Sequence, residues 1–131
     1  MSEGLYPVYG GNGLRGYTST FNHDGFFVLI GRQGALCGNI NIAEGKSYIT
    51  EHAIAVQANT ENVTGFFQYL LLNMNLVQYS DQSAQPGLAV NKLLKLRINL
   101  PSKEEQQKIA TMLSLLDARI ATQNNIITTV C

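Results

Sequence analysis

The stretch "YGGNGLRGY", residues 9–17, places Gly11, Gly13 and Gly16 in the spacing G-x-G-x-x-G. In a dinucleotide-binding unit, this spacing ends a buried strand and opens a helix whose amides bind the pyrophosphate. Here the residues that follow, "YTSTFNHDG", favour strand or loop, and the next apolar run begins by Phe26, too soon for a crossover helix. The glycines are therefore interpreted as supplying positive φ in a tight turn between two short strands.

The composition is that of one small domain. The 131 residues include nine basic and nine acidic side chains, so no global field points to a nucleic acid or to a membrane. The two cysteines form no disulfide framework, and no Cys/His spacing resembles a zinc site. No apolar stretch reaches membrane-spanning length, and the N-terminus does not resemble a signal peptide. We therefore expect a cytoplasmic protein without a metal site.

The residues up to about 58 have the pattern of a β-sheet. The apolar run that starts near Phe26 is followed by a glycine-bounded turn at 31–34 and by a second strand around 38–42. Residues 48–56 alternate with the two-residue period of a strand, which places His52 half-buried in that strand. These patterns predict a small twisted, mostly antiparallel sheet from about residue 5 to residue 57.

The pattern changes to a helical period near Asn59. A core helix is predicted from about Val63 to Leu76, with Thr60 or Asn62 as its N-cap. After a polar loop, residues 90–101 return as a short strand that Pro101 stops.

A long C-terminal helix is predicted from about Lys103. Ser102 and Glu105 have the spacing of a capping box at its start. Its apolar residues follow the spacing of a narrow coiled-coil seam, which the polar Gln123 interrupts. The seam consists of Ile109, Leu113, Leu116, Ile120, Ile127 and Val130. The fold class is thus α+β: a β-sheet domain with a core helix over residues 1–101, then a coiled-coil-type helix over 102–131.

The residues offer no case for an enzyme. His23 lies in a turn-like segment, and His52 is best explained as a satisfied, half-buried histidine. Glu104 and Glu105 are adjacent, so they cannot act as an acid and base pair on one helix face. No metalloprotease, nucleophile-elbow or P-loop pattern occurs.

Several polar residues suit DNA binding better. Arg15 lies between glycine-rich positions, and Arg32 and Gln33 lie at the tip of a glycine-flanked turn. Arginine and glutamine bond base edges bidentately. Lys92, Lys95 and Arg97 form a local basic run that suits phosphate contacts, although lysines at a solvated strand edge would look the same. Residue chemistry alone leaves both interpretations open.

The order of these motifs resembles the target-recognition domain of a type I restriction-modification specificity subunit. The resemblance runs from about Tyr6 to Ile120. It rests on "YPVYGGNGLRGY", "LIGRQGALCGNI", "YITEHAIAV", "SAQPGLAVNKLLKLRINLP" and "EEQQKIATMLSLLDARI". The resemblance implies a non-catalytic module that reads one half of a split double-stranded DNA target. It also implies methyltransferase subunits that bind S-adenosylmethionine and restriction subunits that use ATP, so no cofactor is expected in this chain.

The resemblance also assigns roles to residues. Members of the family read different targets yet share the glycine signatures, so the glycines are expected to shape a turn and not to read bases. Base reading then falls to Asn12, Tyr17, Gln33 and Lys46, and we expect phosphate contacts from Arg15, Arg32, Lys92 and Lys95.

The resemblance extends to assembly. The complete subunit has two recognition domains joined by antiparallel helices, and one domain with a short helix is seen here. We therefore expect an antiparallel homodimer through Leu116, Ile120, Gln123 and Ile127. The alternative is a protein-interaction domain that uses its C-terminal helix and makes no direct contact with DNA.

Overall fold

The computed structural model describes residues 4–32, 34, 37–80 and 88–130, with side chains to Thr122 in the last range. Gln33 lies outside these residues, as do the side chains of Gln123 and Ile127. The strands are β1 (Tyr6–Gly10), β2 (Gly13–Thr18), β3 (His23–Asp24), β4 (Phe27–Gly31), β5 (Ile40–Ala43), β6 (Lys46–Ile49) and β7 (Ala53–Val56). The helices are α1 (Thr64–Met74), a 3-10 turn (Leu76–Tyr79), α2 (Val90–Leu94) and α3 (Lys103–Val130). The predicted α+β fold with a long C-terminal helix is confirmed.

The strands form two sheets instead of the single sheet that was predicted. One sheet has four strands in the order β2-β1-β6-β3, and the other has three in the order β5-β4-β7. All pairings are antiparallel except that of β1 with β6. The chain changes sheet between β6 and β7, within the segment that was predicted to be one strand.

The prediction of a single strand over residues 48–56 was wrong, because the chain makes a tight turn within this segment. Ala53 N–H donates to Thr50 O at 3.2 Å, which closes a turn over residues 50–53. Thr50 N–H also donates to Tyr9 O, so the corner is attached to β1. Strand β6 buries Ser47 and Ile49 on one face, whereas β7 packs both faces, with Ala53 beside Ile49 and Ile54 beside Ile30. His52 was expected to be half-buried in the strand, but it lies exposed in this turn.

Strand β4 separates two hydrophobic clusters because its successive side chains point to opposite faces. Leu29 packs between the sheets with Ile49 of the four-stranded sheet. Ile30 packs on the other side with Leu76 and Leu88. The fold therefore has three layers: the four-stranded sheet, the three-stranded sheet and the helices.

Residues 90–101 form no strand, contrary to the prediction. Their first part is helix α2, and residues 96–102 have no regular structure. Leu93 and Leu96, which are three residues apart, both pack against the cluster around Ile30. That spacing puts both side chains on one side of a helical turn, and contact with the helical layer outweighs the weak strand pattern.

The start of α1 is not capped by Thr60 or Asn62 as predicted. The N-cap position is Val63, whose side chain cannot accept a hydrogen bond. Instead Gln106 of α3 accepts a hydrogen bond from Val63 N–H through Oε1 at 2.9 Å. A side chain distant in sequence thus caps the N-terminus of α1. A local sequence pattern does not predict this contact.

Helix α3 begins at Lys103 as predicted, and Glu105 N–H donates to Ser102 Oγ at 3.3 Å. Its first half packs on α1 through Ala110, whose Cβ would lie 3.8 Å from a Cβ added at Gly65. The described polar contacts between these helices extend as far as Asp117. Beyond that residue, the side chains from Ala118 to Thr122 are exposed.

Candidate nucleic-acid interface

The glycine-rich stretch forms a β-hairpin. Gly11 and Asn12 make the turn between β1 and β2, and β2 follows directly where a dinucleotide site would require a helix. A Cβ added at Gly11 would lie 2.9 Å from His52 O, and Gly13 has φ +102°. Close approach of backbone to backbone therefore explains Gly11, and left-handed backbone explains Gly13.

Three segments that are distant in sequence meet beside this turn. Asn39 Nδ2 donates to Asn12 Oδ1 at 3.0 Å. Arg32 N–H donates to His52 O at 3.1 Å, and Arg32 Nη1 reaches Glu51 O at 3.4 Å. We call Asn12, Arg32, Asn39, Glu51 and His52 the hairpin-end surface. It is polar, and it includes both a guanidinium and a carboxylate.

Arg15 occupies a β-bulge next to the hairpin-end surface. Val8 pairs with Gly16 and Tyr9 pairs with Leu14, so Arg15 is the extra residue of β2. Bulges change the direction in which a side chain points. A Cβ added at Gly10 would lie 2.6 Å from Arg15 Cδ, which shows that the Arg15 side chain lies across Gly10.

Arg15 and Thr50 line one recess, and Thr50 is in turn bonded to His52 of the hairpin-end surface. Thr50 Oγ1 accepts a hydrogen bond from His52 N–H at 3.3 Å. Arg15 thus lies beside Thr50, and Arg32 lies beside Glu51 and His52 of the same turn. The structure brings together three residues predicted from sequence, namely Asn12, Arg15 and Arg32.

Lys46 lies on the same outer face of the four-stranded sheet as Arg15. Val8 pairs with Tyr48, so the side chains of Val8 and Tyr48 share a face. Lys46 is two residues before Tyr48 on β6, so its side chain lies on that face as well. Its ammonium lies 5.1 Å from the centre of the Phe21 ring, within the range of a cation–π contact. In the strand register, Asp24 of β3 lies opposite Lys46.

The other predicted residues lie elsewhere. Tyr17 pairs with Pro7, one position from the Val8–Gly16 pair, so it faces the opposite side of its sheet. Lys92 and Lys95 belong to the helical layer, which the three-stranded sheet separates from Arg15. Within residues 4–32, 34, 37–80 and 88–130, no contact joins these two lysines to Arg15.

Asn39 was missed by sequence reasoning. Its signal was weak, because it is a polar residue between Gly38, which has φ +85°, and the first residue of β5. Only the hydrogen bond to Asn12, 27 residues away in sequence, gives it a place in the surface.

One shifted titratable group lies at the opposite end of the fold. Burial raises the pKa of the Tyr69 phenol above its ordinary value of 10.0, and Asp117 raises it further. The Asp117 carboxylate accepts the phenol's hydrogen bond at 2.9 Å. This pair joins α1 to α3, so its role in the fold is structural.

The described part of the chain shows neither a metal-ligand cluster nor a membrane-spanning helix. No three His, Cys, Asp or Glu side chains within it come together as metal ligands. No helix within it is long and apolar enough to cross a membrane.

Comparison with known proteins gives consistent matches. A family model described as "Type I restriction modification DNA specificity domain" matches residues 2–130. The chain is 49% identical over 113 residues to the EcoprrI type I restriction enzyme specificity subunit of Escherichia coli. That alignment covers 86% of the chain and 28% of the relative, so the chain spans less than a third of that protein's length.

Solved structures show the same fold. The S subunit of a type I restriction-modification system from M. genitalium matches 93% of the chain with a TM-score of 0.77 at 23% identity. A chain from a structure that addresses complex assembly of a type I restriction-modification system matches 92% with a TM-score of 0.69 at 18% identity. The chain covers 34% and 33% of these two structures.

Proposed function

The chain belongs to the family of type I restriction-modification DNA specificity domains, and from this premise we propose that it reads one half of a split double-stranded DNA target. The observation that carries the proposal is the grouping of Asn12, Arg15 and Arg32 around the glycine-rich hairpin. The domain is non-catalytic and acts in the cytoplasm. Arginines of this kind hold phosphates or guanine edges, and asparagine amides pair with adenine.

The partners follow from the family. Methyltransferase subunits modify the DNA with S-adenosylmethionine, and restriction subunits cut it with ATP. Both cofactors belong to those subunits and not to this chain. The family match over residues 2–130 is what supports the proposal of these partners.

Arg15 and Arg32 are expected to contact phosphates. Binding of the chain to a DNA duplex is measured by fluorescence anisotropy at several salt concentrations. Each lost phosphate contact lowers the slope of log affinity against log salt by about one unit. Replacing both arginines by Ala should therefore reduce the slope by about two units. Arg119→Ala, which removes one exposed positive charge from α3, serves as the control.

Unchanged affinity and slope in the double variant would show that the hairpin-end arginines do not touch DNA. Lys92 and Lys95 are tested in the same way because they lie on a different layer. We expect their replacement by Ala to weaken binding to all sequences alike. If it has no effect, these lysines are only solvated.

A second proposal concerns assembly. Apolar side chains remain exposed on α3 where its packing on α1 ends: Leu116 is 48% exposed and Ile120 is 59% exposed. A second copy of this chain, antiparallel to the first, would cover them and would present two identical domains to a palindromic split target. Gln123 and Ile127 would continue this seam.

Light scattering tests the pairing. The chain should be a dimer that Ile120→Asp dissociates, because a carboxylate cannot be buried unpaired in an apolar seam. Arg119→Asp, one position away, adds a carboxylate on a different side of the helix and serves as the control. A monomer at high micromolar concentration would contradict the proposal. A dimer that binds no DNA would instead favour a protein-interaction domain.

A further inference from the structure

The Asn12 and Asn39 side chains form an exposed amide pair at the end of the hairpin. Asn39 Nδ2 donates to Asn12 Oδ1 at 3.0 Å. A hydrogen bond between two solvent-exposed amides adds little to stability, because water competes for both groups. What distinguishes this pair is the rigidity of the backbone that carries it.

Both backbones are held in place independently of the side chains. Gly11, next to Asn12, is in close contact with His52 O, since an added Cβ would lie at 2.9 Å. Asn39 O accepts a hydrogen bond from Gly31 N–H at 2.9 Å. Side chains on fixed backbone lose little freedom when they bind, and this favours precise recognition.

The hydrogen bond leaves a defined capacity for a partner. An amide has an NH2 group with two donors and a carbonyl acceptor. Once Asn39 donates to Asn12, Asn12 has a free NH2 group and Asn39 has a free carbonyl. Turning both amides over exchanges these roles, but the pair still presents one free NH2 group beside one free carbonyl. This conclusion therefore does not depend on how the amides are oriented.

Adenine and guanine offer such a pair different hydrogen-bonding groups on their major-groove edges. Adenine presents N7 as an acceptor and its N6 amino group as a donor in the major groove, whereas guanine presents two acceptors, N7 and O6. The amide pair complements adenine. Against guanine, its carbonyl would face another acceptor without a hydrogen bond.

We propose that the Asn12–Asn39 pair reads an adenine in the major groove of the DNA target. This inference rests on the proposed function and adds to it a residue pair and the base that the pair selects. Arg32 lies in the same hairpin-end surface and contacts a neighbouring phosphate of the DNA while the amides contact the base.

The test is selection of bound sequences from a pool of randomised DNA duplexes, with the full chain and two variants. Asn12→Asp and Asn39→Asp each replace an amide by a carboxylate, so that the pair no longer offers a free NH2 group beside a free carbonyl. Asn73→Asp makes the same charge change on an exposed position of α1 and serves as the control. Thermal unfolding shows whether each variant is folded.

We expect the unaltered chain to enrich a motif that contains an adenine at one position. In both variants the preference for adenine over guanine at that position should fall about tenfold, while the other positions remain. The control should keep the complete motif. The inference is overturned, and the proposed function is not, if both variants leave the motif unchanged. The same holds if the variants lose the preference at all positions together. If the unaltered chain enriches no motif, the proposed function fails as well.

Discussion

Two pairs of amide side chains in this fold have the same chemistry and opposite surroundings. Gln106 Nε2 donates to Asn62 Oδ1 at 2.8 Å in the junction between α1 and α3, where Gln106 is fully buried. Asn39 Nδ2 donates to Asn12 Oδ1 at 3.0 Å at the end of the hairpin, where both side chains meet solvent.

The difference lies in what each pair leaves free. Gln106 also donates to Pro101 O and accepts from Val63 N–H, so both donors and its carbonyl are used within the fold. A buried amide must be satisfied in this way, because an unpaired polar group in the interior costs free energy. The exposed pair keeps a donor and an acceptor for a partner. The buried Gln106–Asn62 pair therefore stabilises the fold, whereas the exposed Asn12–Asn39 pair can bind a partner.

The largest effect is expected from Gln106→Ala. It leaves Val63 N–H and the Asn62 side chain without their partner in a half-buried place, and it opens a cavity where the Gln106 side chain was. The free energy of unfolding should fall by about 3 kcal/mol, as measured by urea denaturation. Gln107→Ala is the control, because this neighbour is exposed and, within the described residues, its side chain bonds Thr111 Oγ1 on the helix surface. Equal losses in the two variants would contradict a special role for the buried amide.

Gly11→Ala should have the next largest effect on stability, because it disturbs the backbone next to Asn12 of the exposed pair. The added Cβ would lie 2.9 Å from the backbone oxygen of His52, so the hairpin must move away from the turn. A loss of about 2 kcal/mol in stability is expected. Gly65→Ala adds the same atom at 3.8 Å from Ala110 Cβ, an ordinary contact, and within a helix should stabilise by about 0.5 kcal/mol. A neutral Gly11→Ala would mean that the hairpin adapts.

Asn39→Ala sharpens the comparison because it removes an exposed amide. Here the free energy of unfolding should change by about 0.5 kcal/mol, since water replaces the lost hydrogen bond to Asn12. The same denaturation experiment measures it. A loss near that of Gln106→Ala would show that the exposed pair also supports the fold, and it would remove the contrast.

The smallest effect concerns Tyr69 and appears only at high pH. Folding raises the pKa of this phenol, so its contribution to stability is present below about pH 10 and is lost as the pH rises through the folded-state value. Burial disfavours the charged phenolate most, and the hydrogen bond to Asp117 and the carboxylate's charge disfavour it further. Between pH 9 and pH 11 the melting temperature of the natural chain should therefore fall slightly more than that of Tyr69→Phe. Parallel curves for the two proteins would show that the pair does not couple to folding.

Local patterns were sufficient for several features. The glycine spacing at residues 11–16 predicted a turn between strands, and the start of α3 was predicted from Ser102 and Glu105. Each of these depends on residues a few positions apart, so the chain carries the complete signal. Asn12, Arg15 and Arg32 were also selected from sequence as DNA-binding residues, and that role stays a prediction.

Long-range contacts decided the features that were predicted wrongly. Residues 48–56 alternate like one strand, but the attachment of Thr50 to Tyr9 turns the chain into a second sheet. Residues 90–101 were predicted to be a strand, but Leu93 and Leu96 pack onto the helical layer. In both segments the local preference was weak, and burial against a distant element was stronger.

The sequence by itself determined the α+β class, the hairpin, the core helix and the long final helix, because hydrophobic period and turn residues act over short distances. Only the tertiary structure decided that Gln106 orders the start of α1 and that Asn39 meets Asn12. These contacts join residues 43 and 27 positions apart. The geometry of these contacts depends on how the layers pack, so no local pattern of residues could predict them.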